Sequence, residues 1–184
     1  MLKEQIFKAN DIRGVVTGAD PELDLDGARK LGAAFVELLD LSGEPIVMGH
    51  DMRQLGEELS MAFADGARRA GASIVDLGLT STDLLWFGSG QLDLPGVQFT
   101  ASHNPARYNG MKFCLAGASP VRPGFTAELR ERAATVTTGE KVVGDYEERD
   151  LTAEFVAHLD RLVPMTGQRR LKVVVDAGNG MAGL

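Results

Sequence analysis

The chain predicts an α/β protein, a three-layer α/β/α sandwich with a mixed, mainly parallel sheet, and three observations carry that reading. Apolar runs of strand character at residues 45–49 and 73–78 alternate with segments at 25–39 and 56–70 whose apolar residues recur at helical spacing. Such alternation implies βαβ units and a sheet covered on both faces. The run GVQFT (96–100) is then joined to MKFCLA (111–116) by a short connection carrying two turn signals, Asn104-Pro105 and Asn109-Gly110, which calls for an antiparallel pair at one end of the sheet.

Taken in order, an opening loop leads to the first helix over 25–39 and a strand over 45–49. The second helix, over 56–70, is closed by Gly71, in the position a helix C-terminus prefers. A strand over 73–78 follows, then a short helix over 80–88 capped by Ser81, Thr82 or Asp83. After the antiparallel pair, Pro120 and Pro123 break the chain before a helix over 125–134. Residues 135–150 are polar without periodicity and read as a connecting segment, followed by a helix over 152–162 stopped by Pro164. The β-branched run at 171–175 reads as a strand leading into DAGNGMAGL. This organisation gives one domain over 1–150 and the beginning of a second over 151–184, truncated as the chain stands.

Composition narrows the function. With 44% apolar and 24% charged residues the chain is that of a globular protein, and no apolar run reaches the ~20 residues that span a bilayer. Its first residues, MLKEQIFKAND, lack the apolar stretch of a signal peptide, so a cytoplasmic location and no membrane partner are expected. A net charge of −7 argues against nucleic acid, whose phosphates are held by basic surfaces, yet leaves room for a small anion held by a few converging cations. The single Cys114 lies in an apolar run and reads as an inert buried thiol. His50, His103 and His158 are far apart in sequence, without the spacings of a zinc site.

The strongest chemical signal is TASHNP (100–105) followed by Lys112, which sets a serine, an imidazole and an ammonium around one turn stiffened by Pro105. A hydroxyl on a rigid loop beside cations suits a group that carries or receives a phosphoryl. Because adjacent residues of an extended chain point in opposite directions, Ser102 and His103 are not expected to form a catalytic dyad. His103 is expected to line the site and bond the loop or a phosphate oxygen, and Asn104 to brace the turn. His50, Asp51 and Arg53 follow a strand, where ligand-facing residues of α/β sheets gather, and Arg53 reads as support for the serine loop. A rival reading comes from Gly178, Gly180 and Gly183, which spell the GxGxxG of a dinucleotide site and would make the chain an NAD-dependent oxidoreductase. That fingerprint needs a following helix and an acidic residue about 20 positions further on, which the chain does not supply.

FKANDIRG (7–14), TASHNPARYNGMKF (100–113) and VVVDAGNGMAG (173–183), in that order, resemble the α-D-phosphohexomutases, specifically the phosphomannomutase/phosphoglucomutase branch. The resemblance covers the whole chain, as the first of four domains and the opening of the second. It implies an isomerase that moves phosphate between C6 and C1 of a hexose phosphate through a hexose 1,6-bisphosphate, with Ser102 as the phosphoserine. Arg13 and Lys112 match the family's active-site cations, and the general base between them stays open. Mg²⁺ is implied, held by an oxygen of the Ser102 phosphate and by aspartates of a DGDGDR-type loop expected beyond residue 184. Glucose or mannose 1,6-bisphosphate is implied as activator and intermediate. Asn10 stands where the branch often has tyrosine, which puts sugar contacts, and so mannose versus glucose preference, in doubt. The fragment alone is expected to be inactive. A non-catalytic phosphosugar-binding module is the alternative.

Overall fold

The computed structural model describes residues 2–141, 143–164, 166–167 and 169–183. Its seven strands are β1 (Asp11–Val15), β2 (Pro45–His50), β3 (Ser73–Leu79), β4 (Gly96–Phe99), β5 (Tyr108–Leu115), β6 (Ser119–Pro120) and β7 (Tyr146–Glu148). They form one sheet in the order β1-β5-β4-β2-β3-β7, with β6 paired to β5. β4, β2, β3 and β7 run parallel, while β5 is antiparallel to both β4 and β1. Five helices flank the sheet: α1 (Leu25–Leu39), α2 (Gly56–Arg69), α3 (Thr82–Leu92), α4 (Phe125–Thr135) and α5 (Thr152–Leu162). The mixed, mainly parallel sheet is the one the alternation of elements predicts.

The two faces of the strands build two cores. In β2, Ile46 and Met48 join the larger cluster beneath α1, α2 and α4, whereas Val47 joins the smaller one beneath α3. A strand buried on both sides reads as a continuous apolar run for this reason. Phe35 of α1 lies at the centre of the larger core, with ring centroids 5.8 Å from Phe63, 5.6 Å from Phe113 and 6.1 Å from Phe125. α1 and α2 cross where both backbones are bare: a Cβ on Gly32 would lie 2.1 Å from the Phe63 carbonyl oxygen, and one on Gly66 would lie 1.9 Å from that of Arg29. α1 starts as its sequence predicts, with the Asp24 carboxylate accepting from the Gly27 N–H at 2.7 Å. The smaller core takes in Leu151, and Phe155 of α5 lies against Phe87 of α3 with centroids 5.5 Å apart.

The structure departs from the sequence reading in several places, among them the two-residue strand β6 at Ser119–Pro120. β1 lies inside the presumed opening loop, and it extends the antiparallel end of the sheet by one strand; only Ile12 and Gly14 of its five residues are buried, too short a signal to read as periodicity. β7 lies inside the presumed connecting segment: it is three residues long, and Tyr146 fastens it by donating its hydroxyl to Asp76 Oδ2 at 2.5 Å. α3 runs past Gly88 to Leu92 and ends at Asp93, whose φ of 55° is left-handed, while its predicted cap holds, with Ser81 Oγ accepting from the Leu84 N–H at 3.1 Å. The run at 171–175 is not in a sheet and its valines are 71–95% exposed, because no described strand offers it a ladder. Cys114 is buried as predicted, and burial pushes its thiol up.

Candidate active site

The TASHNP turn leaves the C-terminal end of β4, beside the end of the parallel neighbour β2. Ser102 is exposed, yet its backbone is tightly held, with a φ of 56° in the left-handed region that a residue bearing a Cβ enters at a cost of about 1 kcal/mol or more. Its N–H donates to Thr100 Oγ1 at 2.8 Å, and Thr100 Oγ1 in turn donates to Asp51 Oδ2 at 2.5 Å. Its carbonyl accepts from Arg53 Nη2 at 2.5 Å. The same guanidinium also reaches the carbonyls of Asn104 at 2.7 Å, Tyr108 at 3.0 Å and Pro105 at 3.2 Å. One arginine therefore gathers the carbonyls of the whole loop, a task that its planar fork performs and a lysine could not. Arg53 is itself set by its turn, its N–H donating to Asp51 Oδ1 at 3.0 Å and its side chain lying 3.6 Å from Asp51 Oδ2.

The left-handed φ of Ser102 changes one expectation. The residue is not extended, so His103 does not face away from it: Nδ1 of His103 lies 3.4 Å from Ser102 Oγ, and both side chains are exposed. The imidazole thus sits beside the hydroxyl.

The other cations arrive through strand register. Asp11 pairs with Lys112 across β1 and β5, so their side chains share a face with Arg13, two residues along β1. Ile12, Met111 and Phe113 go into the larger core, which leaves that polar face on the α3 side of the sheet. Arg13 spans strand and loop: Nε and Nη2 donate to Asp11 Oδ2 at 2.9 and 2.8 Å, and Nη1 donates to Asn104 Oδ1 at 2.9 Å. Lys112 Nζ is 4.0 Å from the same Asp11 oxygen. Asp11 was not singled out from the sequence, although its place in the DIRG motif was signal enough. Thr100 and Asp51, buried at 4% and 7% exposure, were likewise read only as motif and loop. On the strand face two cations, Arg13 and Lys112, meet one carboxylate, Asp11, so an anion would meet a surplus of positive charge despite the acidic chain as a whole.

Asn10 is exposed and lies with Asp11, Lys112 and Trp86 along a cavity of about 370 Å³ beside the cations. The glycine turn at 178–183 does not join this constellation: Gly178 is exposed, its N–H donates to Asp176 Oδ1 at 2.9 Å, and a Cβ placed on it would meet nothing within 4 Å beyond its own chain neighbours. Among the described residues, no group of three His, Cys, Asp or Glu side chains is placed to hold a metal ion.

Comparison with known proteins identifies the family of the chain. The family model described as phosphoglucomutase/phosphomannomutase, alpha/beta/alpha domain I, matches residues 4–140. This chain belongs to the phosphoglucomutase/phosphomannomutase family. It is 39% identical over 182 residues to a protein of Xanthomonas campestris named for phosphohexose mutases, covering 97% of this chain and 39% of that one. It is 36% identical over 185 residues to a phosphomannomutase of Vibrio cholerae, covering 96% of this chain and 39% of that one. The crystal structure of a phosphoglucomutase/phosphomannomutase family protein from Burkholderia thailandensis superposes with a TM-score of 0.84 at 37% identity, over 100% of this chain and 41% of that one. The chain spans about two fifths of the length of these relatives. No helix is long and apolar enough to cross a membrane among the described residues.

Proposed function

We propose that this chain supplies the phosphoserine half of a phosphohexomutase active site, with Ser102 as carrier, acting on hexose phosphates of the phosphomannomutase/phosphoglucomutase class. The observation that carries the reading is Ser102 itself: an exposed hydroxyl on a backbone fixed from below by Arg53 and Thr100, with His103 beside it and Arg13 bonded to Asn104 of the same loop. The division of the chain into a domain over 1–150 and the start of another from 151 belongs to the same proposal, as does a site completed by protein outside this chain.

Phosphoryl transfer is mostly positioning and charge stabilisation, and a serine that does not move between steps serves both half-reactions. In the first, a sugar hydroxyl oxygen forms a bond to phosphorus as the bond from phosphorus to Ser102 Oγ breaks. The sugar hydroxyl gives up its proton and the Ser102 oxygen gains one, giving a hexose 1,6-bisphosphate. In the second, the other phosphate of that intermediate passes to Ser102 Oγ by the reverse bond changes. His103 stands where a proton at Ser102 Oγ can be taken or returned. Arg13 offers its fork to phosphoryl oxygens, and Lys112, already near Asp11, supplies a mobile point charge.

Mg²⁺ would take one oxygen of a Ser102 phosphate, but the oxygen ligands that complete its shell are not grouped among the described residues, and no step above is routed through it. The intact protein, incubated with glucose 1,6-bisphosphate or mannose 1,6-bisphosphate, should gain one phosphoryl group on the peptide containing Ser102, read by mass spectrometry. Ser102→Ala should abolish both that modification and mutase turnover; turnover that survives the substitution would remove Ser102 from the mechanism.

A further inference from the structure

We infer that Thr100 and Asp51 are positioning residues for the phosphoryl carrier, turning the Ser102 amide inward so that only its hydroxyl is offered to substrate. This rests on Ser102 being that carrier. Both backbone polar groups of Ser102 are engaged by side chains rather than by the loop's own backbone: the N–H by Thr100 Oγ1 at 2.8 Å and the carbonyl by Arg53 at 2.5 Å. Both lines run back to one turn, since Thr100 Oγ1 donates to Asp51 Oδ2 at 2.5 Å while the other oxygen of that carboxylate accepts the Arg53 N–H at 3.0 Å. The chain from the Ser102 N–H to the Asp51 carboxylate has one sense only, because the threonine hydroxyl has a single hydrogen and that hydrogen goes to the anion. Its lone pairs are therefore turned to the Ser102 amide, and the buried carboxylate strengthens the bond in a site of low dielectric.

Two chemical consequences follow. The Ser102 amide is occupied and cannot act as a phosphate donor, so charge stabilisation falls to Arg13, Lys112 and His103. The left-handed φ of 56° is held whether Oγ is free or phosphorylated, since neither line of bonds involves Oγ. A loop without this hold would relax toward ordinary backbone angles and carry the hydroxyl off line.

The test pairs Thr100→Val, which keeps shape and removes the hydroxyl, with Thr100→Ser, which keeps it, and adds Asp51→Asn. In the full chain, Thr100→Val should speed hydrogen exchange of the Ser102 amide at least ~10-fold, the scale set by losing a bond of about 1.4 kcal/mol or more. In the intact enzyme it should lower kcat at least ~10-fold with KM within ~3-fold, the pattern of an interaction that positions rather than binds. Thr100→Ser should restore both, and Asp51→Asn should fall between. Exchange and kcat unchanged in Thr100→Val, or an equal loss in Thr100→Ser, overturns the assignment. Wild-type protein whose Ser102 never takes a phosphoryl group overturns the function on which it rests, a result told apart from the first because it appears before any substitution is made.

Discussion

Two turns in this chain advertise chemistry in sequence, TASHNP at 100–105 and DAGNGMAG at 176–183, and the structure treats them oppositely. Each follows an apolar run of strand character. The first run is β4, hydrogen-bonded on both sides, so its turn is delivered to a fixed place beside the end of β2, where Arg53 and Asp51 reach it. The run before the second turn pairs with no described strand, and its turn is held by local bonds, the Gly178 N–H donating to Asp176 Oδ1 and the Gly180 N–H to the Ala177 carbonyl, each at 2.9 Å. The glycine spacing of the second is as regular as the serine motif of the first. What separates them is whether neighbouring elements satisfy the turn's backbone groups and thereby fix where its side chains point.

The largest expected effect comes from loosening the pinned turn until it resembles the other. Arg53→Ala removes the donor to four carbonyls and leaves Asp51 buried without its partner, so a loss of roughly 3–5 kcal/mol of stability is expected, the range for breaking one side of a buried charge pair. Thermal denaturation measures it, and a melting temperature unchanged from wild type would mean the turn holds itself. Next come Arg13→Ala and Lys112→Ala, each expected to slow phosphoryl transfer at least ~10²-fold in the intact enzyme, as for one preorganised charge. Single-turnover rates read the loss, and thermal denaturation distinguishes these two from Arg53→Ala, because they leave the carbonyl clamp in place and should cost less stability. A smaller loss for Lys112→Ala would point to Arg13, which bonds both Asp11 and Asn104, as the dominant cation.

How much of this was legible depended on the length scale of the signal. α1 and α2 each present more than three turns of periodic apolar residues, and both were found almost to the residue. β1, β6 and β7 have five, two and three residues, and a strand that short is defined by its partner rather than by its own pattern. In the site, Ser102, Arg13 and Lys112 were visible because they lie in motifs. The roles of Thr100 and Asp51 were not, since they depend on β2 and β4 being neighbours in space, the two residues being 49 positions apart in sequence. The positive φ of Ser102 was equally hidden: no residue preference announces it, and the bonds that stabilise it are supplied from elsewhere in the fold.

A third test perturbs the frame behind the pinned turn and should leave the turn alone. Asp65 of α2 accepts from Arg29 of α1 at 2.7 Å and from Arg69 at 2.8 Å. Burial pushes its carboxyl up, but the two arginine hydrogen bonds outweigh that and hold it below the usual range. A group whose pKa is depressed by folding stabilises the protein above its unfolded pKa of about 3.9, and that contribution is lost as pH falls through the folded value. Asp65→Asn should therefore cost about 1 kcal/mol at neutral pH, shrinking toward zero in strong acid, with phosphoryl transfer unchanged. Denaturation at the two pH values reads it; a cost that persists in acid would mean packing, not charge, joins the helices there.

The smallest effect is expected at the unpinned turn. Gly178 has a φ of 56°, so Gly178→Ala carries a local backbone cost of about 1 kcal/mol. Nothing crowds the added methyl, and none of the described residues of the turn is among the buried core. A turn that opens independently of the sheet relieves its own strain without unfolding anything else, so the main melting transition of this chain should move by less than ~1 °C. In a protein where 178–183 is docked against further structure, the same methyl would be felt in full, and the melting temperature would drop by several degrees. Making the substitution in this chain and in its longer relatives separates a turn that is merely glycine-rich from one that acquires a fixed place, as the serine turn already has.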